Sequence, residues 1–158
     1  MKKLTHSLLP AAAIVLSFTS LQAFAGAAVS DTIVINDPYV RAVPPGQPNS
    51  AAFMQIENKS DANHAVVNAT SDVSKVVELH THTHEGGMMK MRRIEKITIP
   101  AQSSATLKPG GLHIMLIGLH HDLKPDQQVS LTLEFEDGST TSINAPVRKI
   151  MMQGGMKH

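Results

Sequence analysis

Two histidines and two methionines occur at a spacing that could hold a soft metal ion. Ten residues separate His80 from Met91, twenty-one separate Met91 from His113, and one separates His113 from Met115. The chain has nine methionines and no cysteine, so a soft sulfur ligand must be a thioether. Two imidazoles and two thioethers suit Cu(I), and they suit zinc, magnesium or calcium badly. The spacing therefore predicts a Cu(I) site at His80, Met91, His113 and Met115.

Strand geometry would bring these ligands to a common face. Side chains two residues apart on a strand point the same way and lie about 7 Å apart. In the segment 112–116, Leu112, Ile114 and Leu116 form an apolar set for one face. His113 and Met115 then share the other face, close enough to converge on one ion.

The segment Glu85-Gly86-Gly87 predicts a hairpin turn between the strands that carry His80 and Met91. A two-residue turn on its first two residues places His80 opposite Met91. A turn on its last two residues places His82 opposite Met91 instead. In either register the even-numbered histidines and the odd-numbered methionines share one face.

Other metal-binding candidates remain open. His82, His84 and Met89 lie beside the predicted site and are either alternative ligands or solvated strand residues. The tail is either an unstructured end or an auxiliary copper-binding arm, through Met151, Met152, Met156 and His158. Met54 lies among apolar neighbours and is expected in the core.

Short segments of strand-forming residues, separated by turn residues, predict an all-β fold. No stretch sustains a helical apolar period, and ten short strands favour a β-sandwich over alternating strands and helices. The predicted strands are Thr32 to Ile35, Tyr39 to Val43, Ala51 to Glu57, Ala65 to Ala69, Lys75 to His84, Met88 to Ile99, Ser104 to Leu107, Leu112 to Leu119, Val129 to Phe135 and Thr140 to Val147.

The first residues predict an export signal. Lys2 and Lys3 precede an apolar run, and Ala23-Phe24-Ala25 fits a small-x-small cleavage site. We therefore expect a signal peptide at 1–25, a copper-binding β-sandwich domain at 26–148 and a flexible Met- and His-containing tail at 149–158. No segment of the mature chain is long and apolar enough to predict a membrane span.

Composition and motifs argue against several other functions. The net charge is +1, with one Tyr and no Trp, which disfavours a nucleic-acid partner. The sequence has no phosphate loop, nucleophile elbow, zincin helix or cysteine nucleophile, so we expect no enzyme activity. A blue-copper site would need a cysteine ligand. The remaining alternative is a structural β-sandwich whose Met and His residues are incidental.

The spacing His-x10-Met-x21-His-x-Met resembles the signature of the periplasmic copper chaperone family PCu(A)C. The flanking residues agree over nearly the whole mature chain. The matching segments are Val77-Glu78-Leu79-His80, Met89-Lys90-Met91-Arg92, Leu107 to Leu116, Tyr39-Val40-Arg41-Ala42 and Ala51-Ala52-Phe53-Met54. Tyr39 stands where Trp is usual in the family.

The resemblance implies a cupredoxin-like β-sandwich or barrel that binds Cu(I) in the periplasm through His80, Met91, His113 and Met115. It also implies transfer to an acceptor protein, a cytochrome c oxidase subunit or assembly factor, for the dinuclear copper centre. The tail ending in His158 would be a site for a second copper ion, Cu(II). A monomer is expected. The alternative within this class is a periplasmic copper buffer or tolerance protein without a dedicated acceptor.

Overall fold

The computed structural model describes residues 27–149, and most of them lie in β-strands. A single helical turn, α1 (Val29–Thr32), precedes the first strand. The strands are β1 (Ile33–Arg41), β2 (Asn49–Asn58), β3 (His64–Thr70), β4 (Ser74–Glu85), β5 (Met88–Arg93), β6 (Ile97–Ile99), β7 (Ser103–Leu107), β8 (His113–Leu119), β9 (Gln128–Phe135) and β10 (Thr140–Arg148). The predicted all-β class is confirmed.

The strands are linked in the order β5-β4-β8-β2-β1-β10-β9-β3-β6, and β7 also pairs with β2. β1 and β10 are joined by a short parallel ladder, through Val40–Val147 and Arg41–Arg148. β3 contacts β4 and β6 contacts β7, although these strands are distant in the sheet order. The sheet therefore folds over on itself and encloses one core, as a β-sandwich does.

Alternating burial along the strands builds that core. On β9, Val129, Leu131, Leu133 and Phe135 are all buried, and the residues between them are not. Ile114 and Leu116 are completely buried from β8, which confirms the apolar face predicted there. Strands with this alternation have one face in the core and present their remaining side chains on the other face, whereas β5 has no buried residue.

Two predicted strand boundaries were wrong. The segments on either side of Asp37-Pro38 form one strand, β1, because a bulge between Asn36 and Tyr39 absorbs an extra residue. Asp37 takes a φ of +45° there. The segment Met88 to Ile99 is two strands, since β5 pairs with β4 whereas β6 pairs with β3 across the sandwich.

The helical turn α1 was not predicted, because four residues are too few to show a helical period. It is held by the loop between β9 and β10, where Asp137 Oδ2 accepts a hydrogen bond from the Val29 amide at 2.9 Å. The Ser30 amide donates to Ser139 Oγ at 3.0 Å. Within residues 27–149, no helix has the length and apolarity to cross a membrane. The predicted signal peptide and residues 150–158 of the tail lie outside the described residues.

Candidate metal centre

The β4–β5 hairpin turns on Gly86 and Gly87, whose φ angles are +60° and +77°. Two consecutive positive φ values are what a type I′ turn requires, and glycine adopts them without a Cβ clash. This turn sets His82 directly opposite Met91. Of the two registers that the sequence allows, the protein has the second, so Met91 lies diagonally from His80.

The other edge of β4 pairs with β8, where His80 lies directly opposite His113 and Glu78 opposite Met115. The ring centroids of the two histidines are 5.7 Å apart. Directly opposed residues of an antiparallel pair share a face. All four predicted ligands, Met91 included, therefore lie on one face of three adjacent strands.

His113 is a buried imidazole held in one orientation. The residue is 2% exposed, and its Nδ1 lies 2.9 Å from the carbonyl oxygen of Gly111. A carbonyl only accepts, so Nδ1 carries the proton and Nε2 keeps a free lone pair. Burial lowers the pKa of His113, with smaller contributions in the same direction from His82 and His80, although the Gly111 hydrogen bond raises it. The lowered pKa favours the neutral ring, which is the form that a metal ligand requires.

His80 is oriented by a carboxylate. Its Nε2 lies 2.7 Å from Glu78 Oε2, so Nε2–H donates and Nδ1 keeps the lone pair. Glu78 is held in turn by Arg93, with Oε1 and Nη1 3.6 Å apart. A carboxylate on the far nitrogen of a histidine is a common way to orient a metal ligand.

Two buried nitrogens stand out among the side chains of residues 27–149. His80 Nδ1 and His113 Nε2 are the buried polar side-chain atoms that lack a hydrogen-bond partner. An unsatisfied buried polar atom costs about 1–3 kcal/mol. Both are lone-pair donors on directly opposed residues, which is the chemistry that a metal ion would satisfy.

An open cavity of about 380 Å³ lies over these residues. His113, Met91 and Met115 line it, together with His82 and Phe53. His80 is beside His113 but is not part of the cavity wall. The ring centroid of His82 is 5.0 Å from that of His113, so His82 is at least as close to His113 as His80 is. Three of the four predicted ligands therefore line the cavity, the fourth, His80, lies directly opposite His113, and His82 is a further imidazole in the cavity wall.

The methionines of β5 have no role in the core. Met91 is 47% exposed and Met89 is 50% exposed, whereas Met54 is 2% exposed and packs in the core as predicted. Exposing a large apolar side chain to this extent gains nothing for folding. Met91 lines the cavity, so its exposed thioether is better explained as a donor there than as packing.

Thioethers are needed for any complete metal site here. Within the part of the chain that the structure describes, no group of three or more His, Cys, Asp or Glu side chains could hold a metal ion. The two unsatisfied imidazole nitrogens would need sulfur partners from Met91 or Met115. A donor set of this kind favours a soft ion.

Three contributors to the site were missed from the sequence. Glu78 and the Gly111 carbonyl orient the two imidazoles, and Phe53 lies against His113 with ring centroids 6.4 Å apart. The alternation that places His80 on the outer face also places Glu78 there, so that signal was present. Nothing in the sequence marked the carbonyl or the aromatic wall.

Similarities to known proteins agree with this arrangement. A model of the family described as "Putative lipoprotein LpqE-like" matches residues 33–147. "Putative lipoprotein Lxx21020" of Leifsonia xyli subsp. xyli is 36% identical over 120 residues, which are 75% of this chain and 71% of that protein.

Solved structures are similar as well. The solution structure of CuI-DR1885 from Deinococcus radiodurans is 39% identical, with a TM-score of 0.63, and the match covers 79% of this chain and 83% of that one. The copper-bound PCuAC domain from PmoF2 has a TM-score of 0.63 at 24% identity, over 75% of this chain and 94% of that one. The fold is therefore a cupredoxin-like β-sandwich.

Proposed function

Because this chain belongs to the LpqE-like family, the family of the PCuAC domains, we propose that it binds Cu(I) and passes it to an acceptor protein. His80, Met91, His113 and Met115 are the proposed ligands. The observation that carries this proposal is the pair of buried, unpartnered nitrogens, His80 Nδ1 and His113 Nε2, beside exposed thioethers. The role is carriage of the ion without catalysis.

The copper-bound relatives support copper as the cargo of this chain. CuI-DR1885 is a Cu(I) form by its description, and the PmoF2 domain is copper-bound. In this chain the thioethers favour Cu(I), while neutral imidazoles raise the affinity. A cavity that opens at the surface lets ligands of an acceptor reach the ion before those of the carrier leave it.

The destination and the compartment are proposed from the same family. We propose that the chain is exported to the periplasm through residues 1–25, in line with the lipoprotein description of its relatives. The proposed acceptor is the dinuclear copper centre of cytochrome c oxidase or one of its assembly factors. A second copper ion, Cu(II), is proposed for the tail with His158.

An anaerobic Cu(I) titration against a coloured chelator tests the cargo, with Zn(II) as the control metal. We expect tight one-to-one Cu(I) binding that is lost in the double variant Met91→Ala and Met115→Ala. Met88→Ala is the matched control, because Met88 is 63% exposed on the same hairpin but opposite Glu85, on the other face. Equal binding by both variants would overturn the four-ligand assignment.

Single variants decide between His80 and His82, the two histidines of β4 that lie nearest His113. His80→Asn should weaken Cu(I) binding at least tenfold more than His82→Asn does, because His80 has the oriented, unpartnered nitrogen. The reverse order would assign His82 as the ligand.

Transfer of copper to an apo oxidase domain separates a carrier from a buffer. A carrier metallates the domain faster than the chelated ion does, and a buffer does not.

A further inference from the structure

The outer face of the β4–β5 hairpin carries two opposed pairs of imidazole and thioether. His82 lies opposite Met91, and one step nearer the turn His84 lies opposite Met89. The first pair lines the cavity, but the second pair lies beyond it. The proposed Cu(I) site does not use the second pair.

The donors along this face differ in exposure. His84 is exposed and Met89 is half exposed at the tip, His82 is partly buried, and His113 is almost completely buried. Soft donors therefore form a continuous row from the solvent to the buried imidazole. Neighbouring pairs on one face are about 7 Å apart, a distance within reach of long side chains such as histidine and methionine.

The two faces of the hairpin differ in chemistry. On the opposite face Glu85 is bridged by Arg92 and Lys90, with Glu85 Oε1 and Arg92 Nη2 2.5 Å apart. His84 and Met89 share the donor face with His82 and Met91, away from those cations. The cations next to Met89 and Met91 in the chain therefore point to the opposite face, where Glu85 pairs with them. Arg93, which lies on the donor face opposite His80, is paired with Glu78.

Met89 also reaches the rim of the cavity. Its Cε lies 3.7 Å from where a Cβ on Gly110 would stand, and Gly110 lines the cavity. His82 Nδ1 lies 3.4 Å from the Gly111 carbonyl on the same turn. The Met89 methyl group thus lies next to Gly110, a residue of the cavity wall, although Met89 itself does not line the cavity.

We propose that His84 and Met89 form a capture site, which takes Cu(I) first and passes it along the hairpin to the buried centre. This rests on the proposed Cu(I) cargo. Each step is a ligand exchange: a lone pair of the next donor pair binds the ion as a lone pair of the previous pair leaves it. Copper stays Cu(I) throughout, and the donors are neutral before and after, so no oxidant or proton acceptor is required.

The double variant His84→Asn and Met89→Leu tests the capture site. The matched control, His121→Asn with Met88→Leu, removes the same side-chain types from exposed positions outside the donor face. Uptake of Cu(I) from a coloured chelator is followed by stopped flow under anaerobic conditions. The methionine methyl carbons are followed by NMR as one and then two equivalents of Cu(I) are added.

We expect the test variant to take up Cu(I) at least fivefold more slowly than the control, while the first equivalent still binds. In the unmodified protein the Met91 and Met115 methyls should shift with the first equivalent, and the Met89 methyl with the second. Equal uptake rates, or a Met89 methyl that never shifts, would overturn the capture site. Loss of the first equivalent in the test variant would overturn it too, by placing His84 or Met89 in the main centre. An unmodified protein that binds no Cu(I) would instead refute the proposed function itself.

Discussion

His80 and His113 face each other across the β4–β8 ladder, and each keeps its unprotonated nitrogen buried and unpartnered. Each proton is fixed by a different acceptor, the Glu78 carboxylate for His80 and the Gly111 carbonyl for His113. The protein therefore maintains two lone pairs at a cost to folding. That cost is recovered when an ion binds, since ligand binding stabilises the folded state.

Removing the carboxylate behind His80 should weaken copper binding. Glu78→Ala leaves Nε2–H without its 2.7 Å acceptor, so the ring loses its fixed orientation. We expect Cu(I) affinity to fall roughly 10–100-fold, the usual effect of losing such a partner. Competition titration with a chelator measures the affinity, and Glu95→Ala, which removes an exposed carboxylate elsewhere in the chain, is the control. Unchanged affinity would show that Glu78 does not orient the ligand.

Replacing His113 by an apolar residue should stabilise the metal-free protein. His113→Leu removes a buried nitrogen that has no partner, and it gives up one hydrogen bond to Gly111. We expect the free energy of unfolding to rise by about 1 kcal/mol, because the unsatisfied atom costs more than an ordinary hydrogen bond contributes. Urea unfolding of the metal-free proteins measures the change, and stabilisation by Cu(I) should disappear in the variant. A loss of several kcal/mol would show that the imidazole is needed for packing.

The lowered pKa of His113 gives the metal-free protein a pH dependence of known sign. The folded pKa lies below the ordinary value of 6.5, so folding favours the neutral ring. The stability that the lowered pKa contributes is fully present above pH 6.5 and is lost as the pH falls through the folded pKa. Thermal unfolding at pH 7.5 and pH 5 should show a larger loss for the unmodified protein than for His113→Leu. Equal losses would mean that burial does not shift this group.

The pH dependence of copper affinity should follow the protonation of His113. A protonated imidazole cannot bind Cu(I), so protons compete with the ion at His113 only below its lowered pKa. We expect the part of the affinity that depends on His113 to hold down to about pH 6.5 and to weaken only as the pH falls through the lowered pKa of this group. Titrations at several pH values, with His113→Leu beside the unmodified protein, measure this. A pH-independent affinity between about 5 and 7.5 would contradict the histidine assignment.

Acid should loosen the amino-terminal turn through Asp137. Hydrogen bonds from Ser139 and from the Val29 amide lower the pKa of Asp137 from 3.8 to about 2. A depressed pKa contributes stability above pH 4, and that stability is lost as the pH falls to about 2. Asp137→Asn should therefore flatten the unfolding profile in this window, compared with Asp72→Asn at another exposed position. Identical profiles would remove Asp137 from the acid response.

Strand alternation was sufficient to predict the β-sandwich and the shared face of His113 and Met115. It could not choose between the two hairpin registers, because both keep the same side chains on the same face. The choice rests on the positive φ values of Gly86 and Gly87. A sequence pattern also could not divide Met88 to Ile99 into two strands. The division arises because the first part of the segment pairs with β4 and the last part pairs with β3 across the sandwich.

β5 pairs with one neighbour, at the end of the sheet order, and all six of its residues are exposed. His113, by contrast, begins β8, a strand that pairs with β4 on one edge and with β2 on the other. Amide hydrogen exchange should therefore be fast along β5 and slow along β8, because an edge strand opens without global unfolding. Met91 and His113 thus belong to regions of opposite local stability. Fraying of a single strand would remove a thioether from the ion and leave the core intact, so release need not unfold the protein.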